Sequence, residues 1–213
     1  MNKKAKSHFV FDFDDTLADS YSFNQQMFVE TFDPYLELSH ERAQAYLRGL
    51  HFKNRGAAMI KIFEKAQKKF SLKVSPEILV RKNDQLHQKN FGQIKLFPAV
   101  VKFVRLLKKQ QKELFICTNR DVHSAELILK KYHLKKLFSE VVSCKDAGRE
   151  KPDPFCLLKL VKKTGQSKEN FIYFGDSNVD FQFADNAGVD AIIIDHYLNQ
   201  KSFYEIIIQT FLD

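Results

Sequence analysis

The sequence predicts an α/β protein: a doubly wound, Rossmann-like parallel sheet of about five strands with a small all-helical cap inserted after the first strand. Three observations predict it. Five short apolar runs, beginning at residues 9, 114, 141, 171 and 191, are continuous rather than alternating. Such runs suit strands buried on both faces, as in a parallel sheet covered by helices. Helix-period segments separate the later runs, which is the alternation of a doubly wound domain. Residues 19–95 contain no comparable run, although they follow directly on the first one.

The first strand is read from FVFDFDDTL, residues 9–17. The apolar run breaks off into Asp12 and Asp14. On a strand, residues spaced by two share a face, so these acids are expected as convergent carboxylates at a strand end. Such a pair holds a hard divalent cation, or divides nucleophile and acid/base roles; an Asp-rich turn is the plain alternative. Amphipathic helices are expected at 20–31, 39–47, 56–70 and 76–89, with starts marked by Ser39 and by Ser75-Pro76. They form the expected cap, residues 19–95, leaving 1–18 and 96–213 as the core domain. Pro98 opens the next helix, 100–109, and strand 114–118 (LFICT) follows. Helix 124–132, strand 141–143, helix 154–163, strand 171–174 (FIYF) and strand 191–194 complete the array.

Composition narrows the classes. A chain of 213 residues with 44% hydrophobic content buries an ordinary core in one domain, or in one domain plus an insertion. No run of about 18 apolar residues is present, so no membrane span is expected and the cytoplasm is the default location. Cys117, Cys144 and Cys156 are odd in number and form no CxxC, which suits reduced thiols. The net charge of +8 is carried on presumed helix faces. It suits solvated helices or a mild attraction for phosphorylated metabolites; with no nucleic-acid motif present, a nucleic-acid partner is not expected. His8, His123 and His133 lack partners at ligand spacing and are read as surface or strand-edge residues.

In doubly wound sheets, ligands bind beyond the carboxyl ends of the strands. Asp12 and Asp14 follow the first strand, and Thr118 and Asn119 stand at the end of the second. Lys151 lies in KPDP before a helix, and Gly175-Asp176-Ser177 follows the fourth strand, with Asp180 four residues beyond Asp176. Acid, hydroxyl, amine and acid thus converge on one rim.

This combination resembles the haloacid dehalogenase superfamily of phosphoryl-transfer enzymes. DFDDT is similar to its first motif, ICTN to its second, KPDP to its third and GDSNVD to its fourth. The insertion after the first motif resembles the helical cap of its phosphoglycolate-phosphatase-like members. The resemblance implies a Mg²⁺-dependent phosphatase that hydrolyses a small phosphomonoester. It makes Asp12 the nucleophile that forms an aspartyl-phosphate. At a reference pKa of about 3.9 such a carboxylate is ionised at neutral pH and needs no base. It makes Asp14 the general acid/base, with its side chain free for that work. It implies Asp12, Asp176 and the Asp14 backbone carbonyl as metal ligands, with Asp180 behind them in an outer shell. Thr118, Asn119 and Lys151 are implied to hold the phosphoryl group. Dehalogenase members lack the second acid, so Asp14 favours phosphate chemistry. Two departures stand out: Asp15 replaces a glycine common after the second acid, and Ala99, where relatives often have Gly, is expected to stiffen the return linker.

Substrate choice is expected from the cap. Residues 47–56, LRGLHFKNRG, are read as a helix–helix turn whose Arg48, Lys53 and Arg55 either recognise a further substrate group or form a basic surface loop. A sugar phosphomutase on the same residues, or a low-turnover binding protein with the retained fold, are the alternatives to a phosphatase. The oligomeric state is expected to be monomer or homodimer.

Overall fold

A computed structural model describes residues 6–36, 41–53 and 59–194 of the chain. It divides into two compact units, Met1–Asp19 with Lys95–Asp213, and Ser20–Ile94.

The first unit is built on five parallel strands: β1 (His8–Phe11), β2 (Glu113–Thr118), β3 (Glu140–Ser143), β4 (Phe171–Gly175) and β5 (Asp190–Ile193). Their order is β3-β2-β1-β4-β5, so the first strand in the chain is central in the sheet. Four of the five strands begin one residue before the apolar run that predicts them, and β4 begins with its run at Phe171. Backbone ladder bonds do not require an apolar side chain, so His8, Glu113, Glu140 and Asp190 join the pairing. His8 is therefore not a surface residue. It is buried in the central strand, its ring stacked on Phe115 at 5.9 Å.

Both faces of β1 are covered, which is why its run is apolar throughout. Phe9 and Phe11 meet Phe103 of helix α5 (Pro98–Lys109; α1–α4 belong to the second unit) and Phe174 of β4. Val10 faces the other way, into a cluster with Phe115, Tyr173, Leu157, Leu160 and Phe183. The last three come from α7 (Phe155–Thr164) and α8 (Asn178–Ala187). Helix α6 (Val122–Lys131) is capped by Asp121, which accepts from Ser124 N at 2.9 Å. The three cysteines are free and buried. Ala99 lies in the first turn of α5, where alanine is a favourable helix residue, so it is not a linker stiffener.

The chain leaves this unit and returns to it along a short antiparallel pairing. Asp19 N donates to Lys95 O at 2.8 Å, and Phe97 N donates to Leu17 O at 2.9 Å.

The second unit holds α1 (Ser20–Glu30), α2 (Glu41–Lys53), α3 (Met59–Phe70) and α4 (Pro76–Asn90). Phe28, Phe32, Leu47, Ile62, Phe63, Ala66 and Leu79 form its core. Helix α2 corrects the expected turn at 47–56. It continues through Gly49 to Lys53, because Leu47, Leu50 and His51 extend one inward stripe at helical spacing. A single interior glycine costs only about 1 kcal/mol against alanine, which that stripe offsets. Arg48 and Lys53 are thus helical residues. Arg55, Ser39 and Gly56 lie outside the described residues. Among the described residues, no helix is long and apolar enough to cross a membrane.

Candidate active site

The carboxyl ends of β1, β2 and β4 bring most of the expected residues together. β1 stops at Phe11, so Asp12 and Asp14 stand in the loop beyond it rather than on one strand face. Asp12 N donates to Phe174 O at 2.7 Å, fixing the first acid between β1 and β4. The loop then turns through Asp15 at φ +56°. That left-handed conformation is natural to glycine and tolerated by aspartate, which accounts for the acid standing there.

Asp12 and Asp14 take different partners. The buried Lys151 donates from Nζ to Asp12 Oδ1 at 2.5 Å and to Asp180 Oδ1 at 2.8 Å. Asp14 is held by Arg120, whose Nε donates to both carboxylate oxygens at 3.0 Å and whose Nη2 donates at 2.5 Å. The Asp14 side chain is therefore not free, contrary to the expectation drawn from the motif alone.

Thr118, at the end of β2, is almost fully buried, and its Oγ1 accepts from Arg120 N at 3.1 Å. Asn119 works at one remove: its Oδ1 accepts from Lys151 N at 3.0 Å, tying the KPDP loop to the end of β2.

Asp180 begins α8 in a capping box with Ser177. Its Oδ1 accepts from Lys151 Nζ and from Tyr173 OH at 3.0 Å. Its Oδ2 accepts from Ser177 Oγ at 2.5 Å and from Ser177 N at 3.2 Å. Gly175 permits this close packing: a Cβ there would meet Asp180 Cβ at 2.3 Å.

One oxygen from each of Asp12, Asp176 and Asp180 lies within 4.8 Å of the others. Three carboxylates thus face one ammonium. Burial pushes Asp12 up to about 7; Asp180 and Asp14 add to the rise and Lys151 opposes it. Burial, then the charges of Asp12 and Asp180, push Asp176 up to about 8. Asp180 goes the other way, held below the usual carboxylate range by Lys151 and its hydroxyl donors against the effect of burial. The cluster has an excess of negative charge and an all-oxygen donor set, which fits a hard divalent cation. Both Asp180 oxygens already accept hydrogen bonds, whereas Lys151 engages only Oδ1 of Asp12.

The family described as haloacid dehalogenase-like hydrolase matches residues 9–194, most of the chain. The chain belongs to the haloacid dehalogenase-like hydrolase family. It is 31% identical over 104 residues to a phosphoglycolate phosphatase of Aliivibrio fischeri, covering 49% of this chain and 46% of that one. The chain thus spans about half the length, or less, of the phosphoglycolate phosphatases it matches. A pyrophosphatase, PpaX, of Halalkalibacterium halodurans is 24% identical over 195 residues, covering 91% of this chain and 86% of that one. The fold is shared with a haloacid dehalogenase superfamily hydrolase, subfamily IA, from Geobacter sulfurreducens, at a TM-score of 0.73 and 22% identity over 97% of both chains. It is also shared with a putative beta-phosphoglucomutase from Thermotoga maritima, at a TM-score of 0.70 and 20% identity, covering 96% of this chain and 91% of that one.

Sequence reasoning missed three contributors to this haloacid dehalogenase-like site. Arg120 directly follows Thr118-Asn119, and its charge beside a hydroxyl and an amide was a usable signal. Ser177 sits three residues before an acid, the spacing of a capping box. Tyr173 gave no signal of its own, since one aromatic among FIYFG reads as core.

Proposed function

We propose that this chain is a Mg²⁺-dependent phosphatase that hydrolyses a small phosphomonoester through an aspartyl-phosphate on Asp12. The observation that carries the reading is the buried cluster in which Lys151 bridges Asp12 and Asp180 beside Asp176. An acid cluster built only for stability gains little from being buried with one counter-ion. One built to receive a cation and a phosphoryl group has a use for both its surplus charge and its ammonium.

In this reading Asp12 attacks phosphorus and the bond to the ester oxygen breaks, while Asp14, protonated and shifted off the side-on grip of Arg120, gives its proton to the departing oxygen. Asp14 then takes a proton from water, which attacks the aspartyl-phosphate, releasing phosphate and regenerating the Asp12 carboxylate. General acid–base help of this kind is worth about 10²–10⁴-fold. Lys151 and Thr118 bind the peripheral phosphoryl oxygens, where charge sits in the transition state. Asn119 contributes by holding the Lys151 backbone in place. Asp12 and Asp176, with the Asp14 backbone carbonyl, would hold Mg²⁺, which offsets the repulsion between the carboxylate nucleophile and the phosphate. Asp180 anchors Lys151 rather than the cation. Burial raises Asp12 to about 7 against the opposing charge of Lys151, and a bound cation would favour its carboxylate form. The helical unit serves as the cap that selects the substrate, a small phosphorylated metabolite.

The same residues would serve a phosphomutase, and a retained fold with negligible turnover would make a binding protein. The likeness to a phosphatase and a pyrophosphatase in sequence favours hydrolysis. Purified protein with Mg²⁺ should release phosphate from p-nitrophenyl phosphate, and should lose this activity on chelation and in Asp12→Asn. Full activity in Asp12→Asn would overturn the reading. An isomerised sugar phosphate formed faster than free phosphate would replace it with the mutase.

A further inference from the structure

The guanidinium of Arg120 has two hydrogen-bonding edges, and one of them is in use. Nε and Nη2 grip Asp14 side-on, at 3.0 and 2.5 Å. The end-on edge consists of Nη1 and the second N–H of Nη2. Among the described residues it has no protein partner. A guanidinium carries five N–H donors in a planar fork that matches a carboxylate or phosphoryl group two bonds at a time.

This arginine is not a solvated surface group. Its side chain is 18% exposed and lies over the Phe13 ring at 5.6 Å. None of the Arg120 donors is among the described side-chain atoms that are both buried and unpartnered, so the end-on edge reaches solvent and is open to a ligand. The position is equally specific. The Arg120 backbone is tied to Thr118 Oγ1, and its side chain reaches Asp14. Arg120 therefore stands beside both the residue assigned to the phosphoryl group and the residue assigned to the leaving oxygen.

We propose that the end-on edge of Arg120 recognises a second anionic group on the substrate, a carboxylate or a further phosphoryl group. The inference rests on the phosphatase reading and narrows its substrate class. Arg120 grips the very residue that serves the leaving oxygen, so the second anion lies within a few bonds of that oxygen. Small phosphorylated acids or compounds with two phosphoryl groups fit. Phosphate esters of neutral alcohols leave the fork empty.

Phosphate release with Mg²⁺ is measured on four probes: phosphoglycolate, inorganic pyrophosphate, ethyl phosphate and p-nitrophenyl phosphate. Expected is a kcat/KM for phosphoglycolate or pyrophosphate about 10- to 100-fold above that for ethyl phosphate, the range of one charge-assisted contact. Which of the two leads tells carboxylate from phosphoryl recognition. Arg120→Ala should bring that ratio close to one, chiefly through KM, and Arg120→Lys should restore part of it. A ratio near one in the unaltered protein overturns the proposal. So does an Arg120→Ala protein that slows phosphoglycolate and ethyl phosphate equally, the behaviour of a residue that only holds Asp14. If Arg120→Ala does not fold, the unaltered protein and Arg120→Lys decide. Failure of the phosphatase reading looks different: no release from any probe, or release that survives Asp12→Asn.

Discussion

The Lys151 ammonium stands 2.5 Å from Asp12 Oδ1 although 139 residues separate the two in the chain. It also holds Asp180, so one cation serves two buried acids. Lys151→Met is expected to leave both acids without their counter-ion. Breaking a buried pair from one side costs about 3–5 kcal/mol. Urea unfolding should show a loss of that size, and phosphate release should fall at least about 100-fold. Adding Asp180→Asn should recover part of the stability and none of the activity. A Lys151→Met protein of unchanged stability would contradict this account of the cluster.

Asp176 makes stability depend on pH and on the cation. Its carboxyl is pushed up to about 8 in the fold, against about 3.9 when exposed. Between these values the folded protein holds a proton that the unfolded chain releases. This contribution is fully present below the unfolded value and is lost as pH rises through about 8. Asp12, raised to about 7, acts in the same direction. In chelator, the melting temperature should fall from pH 6.5 to 8, a window that lies at or above the range in which His8, lowered by burial, titrates. Asp176→Asn should flatten that slope. The melting increment on adding Mg²⁺ should be larger at pH 8 than at pH 6.5, because a cation binds the deprotonated acids.

Tyr173 carries a smaller share. Its hydroxyl lies 3.0 Å from Asp180 Oδ1 and 3.1 Å from Cys117 O, with one proton between two acceptors. Tyr173→Phe keeps the ring and removes that donor. A cost of about 1–2 kcal/mol is expected. For a chain of this size that is a drop of a few degrees in thermal midpoint, roughly 2–4 °C per kcal/mol. Activity should fall less than in Lys151→Met, because Lys151 and Ser177 still hold Asp180.

Gly175 is required by space alone. Its backbone meets Asp180 so closely that a Cβ would stand 2.3 Å from Asp180 Cβ and 2.5 Å from its Cγ. These atoms sit next to the α8 backbone and cannot swing away. Gly175→Ala is expected to shift the start of α8, at a cost of about 1–3 kcal/mol, as overpacking does. It should also raise the Mg²⁺ concentration that activity requires, by displacing Asp176, which directly follows Gly175. Calorimetry and a Mg²⁺ titration of activity test both parts.

Much of this was legible beforehand, and the reason differs by element. The strands at 114 and 171 could be read because a strand covered on both faces is apolar along its run, while those at 141 and 191 are sheet edges that keep short apolar runs although only partly covered. Helix α2 was read too short, because Gly49 and the nearby cations look like a turn when the partners of Leu50 and His51 are unknown. Asp12, Thr118, Asp176 and Asp180 could be picked out because each stands at or just beyond a strand end or in the first turn of a helix, and Lys151 because of its place in KPDP. Arg120 and Tyr173 act through contacts that a linear reading does not contain.

The sequence by itself determined the layered α/β architecture, the helical insertion and the set of residues at the rim, since apolar periodicity and strand-end chemistry are local properties. Tertiary structure alone decided the pairing: Lys151 with Asp12 and Asp180, Arg120 with Asp14, Tyr173 beneath Asp180. It also decided that Asp12 and Asp176 hold their protons more tightly than exposed acids do. Pairing and proton affinity depend on distance and on exclusion of water, and both arise only when residues far apart in the chain are buried together.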